Sequence, residues 1–142
     1  MRIDRLFSKH IDDILALYKD NFPDGWNKNM LESAFEQERF IALGIYEQNL
    51  IGIITCSTTE FDADVEGIVV DKEHRRKGYA LLLLNALEER LIKNKIEKIF
   101  LEVRKNNLPA KNLYLKNGYK EISVRKKYYS DGEDALIMAK EL

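Results

Sequence analysis

The stretch HRRKGYALLLLNALEERL, residues 74–91, sets Arg75, Arg76, Lys77 and Gly78 directly before a run of leucines. Ala80, Leu83, Leu84, Leu87 and Leu91 recur at helical spacing and predict one apolar face. The runs VEGIVV (65–70) before it and KIFLEV (98–103) after it read as strands. Strand, crossover helix and strand make a βαβ unit, nearly always right-handed, which puts two parallel strands side by side in one sheet. Everything else in the chain has to be arranged around that pair.

Upstream, RIDRL (2–6) alternates as a strand, and Ser8 is placed to cap a helix carrying Ile11, Ile14, Leu15 and Tyr18. FPDGWN (22–27) interrupts the pattern, and Asn27 is placed to cap a second helix carrying Met30, Leu31 and Phe35. RFIALGIYEQNLIGIITCSTTE (39–60) reads as a hairpin turning at Glu47-Gln48-Asn49. Downstream, LPAKNLYLKNG (108–118) is a helix with Pro109 in its first turn and Gly118 as a left-handed C-cap. YKEISVRKKYY (119–129) and DALIMAKEL (134–142) then pair across a turn at Ser130-Asp131-Gly132. The order β-α-α-β-β-β-α-β-α-β-β predicts an α/β (α+β) fold, a mixed sheet with helices on both faces, in a single domain over 1–142.

With 23 basic and 24 acidic side chains the chain lacks the field that captures nucleic acid non-specifically, so any anion site is local and no nucleic-acid partner is expected. Cys56 stands alone, and with two separated histidines it offers no metal-ligand spacing. It reads as a small buried apolar residue in a reducing setting. Neither MRIDRLFSKH (1–10) nor ALLLL (80–84) has the apolar length of a signal or a membrane span, so a cytoplasmic protein without membrane contact is expected.

Cations at a helix N-terminus oppose the macrodipole by about 0.3–1 kcal/mol each, which leaves them without a purpose unless an anion joins them. Unpaired N–H groups at that end, Gly78 clearing the approach and Ala80 keeping the first turn small, fit a phosphate group. A solvated basic loop would show the same three cations. The loop's place at the carboxyl end of a parallel strand favours the ligand. It is neither a Walker A loop nor a dinucleotide fingerprint.

The pattern R-x-x-G-x-A at Arg75–Ala80 after GIVVD (67–71) resembles the coenzyme A signature of the GNAT acetyltransferases, and the element order resembles theirs almost throughout. The resemblance implies a mostly antiparallel seven-stranded sheet with a central parallel pair, and acetyl-CoA as cosubstrate with no metal. It implies pyrophosphate on the backbone of Arg75, Arg76, Lys77, Gly78, Tyr79 and Ala80, and pantetheine along Ile68, Val69 and Val70. The adenosine phosphate would lie within reach of Arg75, Arg76 or Lys77.

LEVRKNNLPAKNLYLKNGY (101–119) and KKYYSDGEDALIM (126–138) are similar to the RimI branch, the ribosomal-protein-alanine N-acetyltransferases. Carried over by residue, that likeness implies Glu102 as general base through water, Tyr114 as the acid that protonates the thiolate, and Asn107 beside the cofactor arm. A terminal amine, with a pKa of about 7.7–8.0 against ~10.4 for lysine, asks less of a carboxylate base. From spacing alone Glu102 equally suits a pair with Arg104, and Tyr114 equally suits packing beside Leu113. Asp64, on one strand face with Glu66, is the reserve base.

Tyr128 and Tyr129 fall where the resembling families hold the acceptor's backbone, and Phe22 with Trp26 forms a second candidate wall. One core ring and one surface ring, or a helix-helix staple, would explain the same residues. FPDGWN carries two residues more than the RimI-like FPW arrangement. Asp134 suits either attraction of a cationic terminus or a solvated turn. The implied acceptor is a protein or peptide N-terminus, in particular the N-terminal alanine of a small-subunit ribosomal protein, with the enzyme a monomer or homodimer. A small-molecule or lysine acetyltransferase and a non-catalytic CoA-binding module are the alternatives.

Overall fold

The computed structural model describes residues 1–23 and 25–142. Its strands are β1 (Arg2–Arg5), β2 (Phe40–Tyr46), β3 (Leu50–Thr58), β4 (Asp62–Val70), β5 (Lys98–Arg104), β6 (Lys120–Arg125) and β7 (Ala135–Glu141). The helices are α1 (Ile11–Asn21), α2 (Lys28–Glu36), α3 (Tyr79–Lys93) and α4 (Leu108–Lys116). The spatial order is β1-β2-β3-β4-β5-β7-β6, antiparallel everywhere except at β4–β5. This is the mixed sheet with a central parallel pair that the βαβ unit predicts.

Strand alternation sends neighbouring side chains to opposite layers, and Ile53 and Ile54 mark the division. On one face Leu83, Leu84, Leu87 and Leu91 of α3 are fully buried against Ile54, Cys56, Ile99 and Leu101, with Tyr114 of α4 in the same layer. On the other, Ile14, Leu17 and Tyr18 of α1 and Leu31 of α2 pack on Phe40, Ala42 and Ile53. Each such leucine contributes about 1.5–3 kcal/mol, and a change such as Leu87→Ala costs about 2–5 kcal/mol. Glu88, also on the buried face of α3, is satisfied by the Tyr119 hydroxyl at 2.7 Å and Lys140 Nζ at 2.8 Å.

Local expectations differ in three places. Ser8 begins a 3-10 turn, Ser8–His10, instead of capping α1 with its hydroxyl; its main-chain carbonyl takes the Ile11 N–H, and His10 Nδ1 accepts from the Phe7 N–H at 2.9 Å. Met30 is exposed and Leu15 only half-buried, because Leu31 and Leu17 hold the inward positions. Asn27 does cap α2, accepting the Met30 N–H at 2.8 Å.

Two irregularities position the site. β4 and β5 pair only through Asp62–Lys98, Ala63–Ile99 and Asp64–Phe100, and then part although β4 runs on to Val70 and β5 to Arg104. On its other edge β4 bulges: Gly67 faces Thr55 and Val65 faces Cys56, so Glu66 is the extra residue.

Candidate active site

β4 leads into a loop held by short-range hydrogen bonds. Asp71 begins the 3-10 turn Lys72–His74, its Oδ2 accepting the Glu73 N–H at 3.3 Å and lying 2.9 Å from His74 Nδ1. Asn21, at the end of α1, donates from Nδ2 to Asp71 Oδ1 at 2.9 Å and accepts the Lys72 N–H at 2.8 Å. Arg75 is extended, and its Nε donates to the Val70 carbonyl at 3.0 Å. Arg76 (φ 64°) and Gly78 (φ 80°) are left-handed, and α3 starts directly after them.

No side chain caps α3. Its first intrahelical bond runs from the Leu82 N–H to the Gly78 carbonyl, so Tyr79, Ala80 and Leu81 offer N–H groups with no helical acceptor. Alternating backbone handedness before a helix turns successive N–H groups toward one concavity, an arrangement suited to an anion. Arg75, Arg76, Lys77 and Gly78 are all exposed. Arg76 and Lys77 make no side-chain hydrogen bond or ion pair among the described residues. A Cβ on Gly78 would meet nothing within 4 Å, so the glycine serves the positive φ and not a close contact. The Tyr79 hydroxyl donates to Glu47 Oε1 at 2.7 Å and ties the β2–β3 turn to the loop.

Beside the open stretch of β4 lies a cavity of about 300 Å³, with Tyr18, Phe22 and Trp26 on one wall and Glu66 through Val70 on the other, and Arg75 at one end. Trp26 leans on Phe40 at 5.7 Å between ring centres, and Phe22 meets Tyr18 edge-on at 6.4 Å. Asp24, within the FPDGWN segment whose extra length the sequence reading notes, lies outside the described residues. Ile68, Val69, Val70, Phe22 and Trp26 are thus brought together around one space.

Asp64, the reserve base, and its neighbour Glu66 stand on different sides of the parting of β4 from β5. Asp64 lies in the paired part of β4, opposite Phe100, whereas Glu66 is the first acid beyond the parting. Its Oε1 accepts from Ser57 Oγ at 3.0 Å, and burial pushes its carboxyl above the usual range. Only the register of β3 against β4 reveals the bulge that presents it.

Glu102 stands opposite Ile137 in β5, between buried Leu101 and Val103, and so faces the α1–α2 layer. Its ion-pair partner is Arg125, with Nη1 at 3.6 Å, and not Arg104, which instead binds Asp131 at 2.8 Å and Glu133 at 3.5 Å. Tyr114 belongs to the α3–α4 layer, its ring tilted against Tyr119 at 5.8 Å. Its hydroxyl has no hydrogen-bond partner among the described residues, and burial raises its pKa. Glu102 and Tyr114 therefore occupy opposite layers on either side of β5, and neither is a wall of the cavity. Asn107 caps α4, its Oδ1 accepting the Ala110 N–H at 3.3 Å.

Tyr128 and Tyr129 meet edge-on at 5.2 Å, with Arg125 over the first ring at 5.4 Å and Arg104 over the second at 3.9 Å. Arg125 thereby joins this pair to Glu102. Burial first, and the Glu102 charge second, raise the Tyr129 pKa. Asp134 is engaged by the loop itself: Oδ1 accepts the Lys127 N–H at 2.9 Å, and Lys105 Nζ is 3.9 Å from Oδ2. Among the described residues, no helix is long and apolar enough to cross a membrane.

A family model described as the acetyltransferase (GNAT) family matches residues 11–119. An N-alpha-acetyltransferase of Saccharolobus solfataricus is 49% identical over 80 residues, 55% of this chain and 47% of that protein. The match thus spans about half the length of this archaeal relative. A [ribosomal protein bS18]-alanine N-acetyltransferase of Haemophilus ducreyi is 36% identical over 119 residues, 80% of this chain and 81% of the relative. The crystal structure of the ribosomal-protein-S18-alanine N-acetyltransferase from Escherichia coli superposes with a TM-score of 0.91 at 26% identity, covering 99% of this chain and 92% of that one.

Proposed function

The chain belongs to the GNAT acetyltransferase family, and from that premise we propose that it transfers the acetyl group of acetyl-CoA to the α-amino group of a protein N-terminus. The observation that carries the reading is the parting of β4 from β5 after Asp64 and Phe100, immediately before a basic loop and an uncapped helix. Backbone freed on β4 can pair with the amide-bearing pantetheine arm, and the N–H groups of Tyr79, Ala80 and Leu81 can hold the diphosphate. The thioester then reaches the aromatic-walled cavity.

In this reading Glu102, through water, takes the proton from the incoming ammonium as its nitrogen attacks the thioester carbonyl. The C–S bond breaks, and the Tyr114 hydroxyl gives its proton to the departing thiolate. The second proton of the acylated nitrogen returns through water to the Tyr114 phenolate, while Glu102 releases its proton to solvent. Burial of Tyr114 keeps the phenol protonated, as an acid must be. Phe22, Trp26, Tyr128 and Tyr129 hold the acceptor's first residues. The names of the relatives favour a ribosomal protein with N-terminal alanine as the acceptor, and such an acceptor implies a cytoplasmic setting.

The test is acetyl transfer from acetyl-CoA to peptides with free N-terminal Ala, Ser or Met and an internal lysine, with the acetylated atom identified by fragmentation mass spectrometry. Nα-acetylation is expected. Reaction only at lysine Nζ or with small amines would replace the acceptor, and cofactor binding without turnover would reduce the protein to a binding module.

A further inference from the structure

A second cavity, of about 350 Å³, lies between the β1 edge of the sheet and the last turns of α3. Ile3, Arg5 and Leu43 line it from β1 and β2, and Ala86, Arg90 and Lys93 line it from α3. It stands well away from the acetyl-transfer cleft. α3 rises about 16 Å between Tyr79 and Arg90, and β3 and β4 separate β2 from the parting.

Strand alternation puts Ile3 and Arg5 on the α3 face of β1, and Arg2 and Asp4 on the other. There Asp4 binds Arg2 Nε at 2.6 Å, and Arg2 lies 4.5 Å over the Tyr46 ring. Asp4 is therefore committed away from Arg5. The Nε of Arg5 is buried with no hydrogen-bond partner among the described residues, and its Nη2 makes one long contact, to the Phe40 carbonyl at 3.5 Å. Among the described residues none of Arg5, Arg90 and Lys93 forms an ion pair, and Glu89, the other acid of the walls, is bound by none of them.

The end of a helix by itself favours Arg90 and Lys93. It gives no account of Arg5, which a strand delivers to the same space. A charged donor withdrawn from water without an acceptor is destabilising, so an anion that reaches Arg5 Nε removes a cost already present in the fold. A guanidinium fork joined by two cations from a second element suits a tetrahedral group, whose oxygens accept from several directions.

We propose that this cavity is a second anion site, which binds the phosphate group of a small molecule. Arg5 forms its floor and Arg90 and Lys93 its clamps, while Glu89 at the rim opposes the ligand. The proposal is independent of which amine is acetylated.

The experiment titrates nitrogen-15-labelled protein, with and without saturating CoA, with inorganic phosphate, pyrophosphate or a hexaglutamate peptide. The signals followed are the Arg5 Nε–H and the main-chain amides of residues 3–5 and 90–94. Saturable shifts there with phosphate or pyrophosphate, at a Kd of about 1 mM or below and retained when CoA is added, are expected. Arg5→Gln and Arg90→Gln each weaken binding roughly tenfold or more, with melting temperatures checking that both variants fold. Glu89→Gln tightens it, a sign that loss of packing would not produce. Shifts that never saturate, a response that CoA abolishes, or unchanged affinity in both arginine variants overturns the proposal. Saturation by hexaglutamate alone also overturns it, because the cavity would then seat an acidic protein segment.

Discussion

Asn21 and Asp71 are joined by a 2.9 Å hydrogen bond across fifty positions of sequence, and the same Asn21 accepts the Lys72 N–H at 2.8 Å. The end of α1, whose continuation forms the aromatic wall of the cavity, is thus fastened to the loop that precedes α3.

Replacing Asn21 with alanine removes both bonds. Hydrogen bonds to charged groups contribute about 1.5–3 kcal/mol, so CoA affinity is expected to fall roughly tenfold through loss of loop order, as read by titration calorimetry. The change also has a pH signature. Asp71 is held below the usual carboxylate range by Asn21 first and His74 next. A depressed carboxyl stabilises the fold above its unfolded pKa of about 3.9 and loses that contribution as pH falls through the lower folded value. The melting-temperature gap between wild type and Asn21→Ala should therefore be widest above that range and close in stronger acid.

Glu102→Gln and Tyr114→Phe should each lower kcat by about 10²–10⁴, the usual range for a general base or acid, with CoA affinity nearly unchanged. Because burial raises the Tyr114 pKa, its phenol stays protonated to higher pH than a free tyrosine. Any alkaline fall in kcat below about pH 10 must then come from another group. A wild-type alkaline limb below that pH that vanishes in Tyr114→Phe would contradict the assignment.

Gly78→Ala tests backbone handedness alone, since the added methyl would meet nothing within 4 Å. Holding alanine at φ 80° costs about 1–2 kcal/mol. A melting point lowered by several degrees is expected, together with weaker CoA binding if the loop relaxes to escape the strain.

Glu88→Ala leaves the Tyr119 hydroxyl and Lys140 Nζ without their shared carboxylate. Stranding a buried polar group costs about 1–3 kcal/mol, measurable as a shift in the urea midpoint. Glu88→Gln keeps an acceptor for one of the two and should cost less. Equal losses would show that charge rather than hydrogen bonding holds the network.

The sheet and its helices were legible because the signals are local: the Leu83–Leu91 stripe, the Asn27 cap, the Glu47–Asn49 turn and Gly118 each act within a few residues. The basic loop could be read as well, since Gly78 and the cations adjoin the helix they precede. Features set by strand register could not. Glu66 is presented only because Thr55 and Cys56 skip it as a partner. Arg125 reaches Glu102 because β7 inserts between β5 and β6, an order no nearest-neighbour reading supplies. Ser8 is not the cap because a 3-10 turn, Ser8–His10, precedes α1 and moves the start of the helix to Ile11.

The short β4–β5 pairing leaves the middle of the sheet unfinished, with amides and carbonyls past Asp64 and Phe100 that have no strand to bond. A molecule lying in that slot would serve as the absent length of strand, so occupancy and folding become one equilibrium. Resistance to heat and amide hydrogen exchange along Val65–Val70 should then track the supply of coenzyme, gaining about 2.7 kcal/mol at a hundredfold excess over Kd.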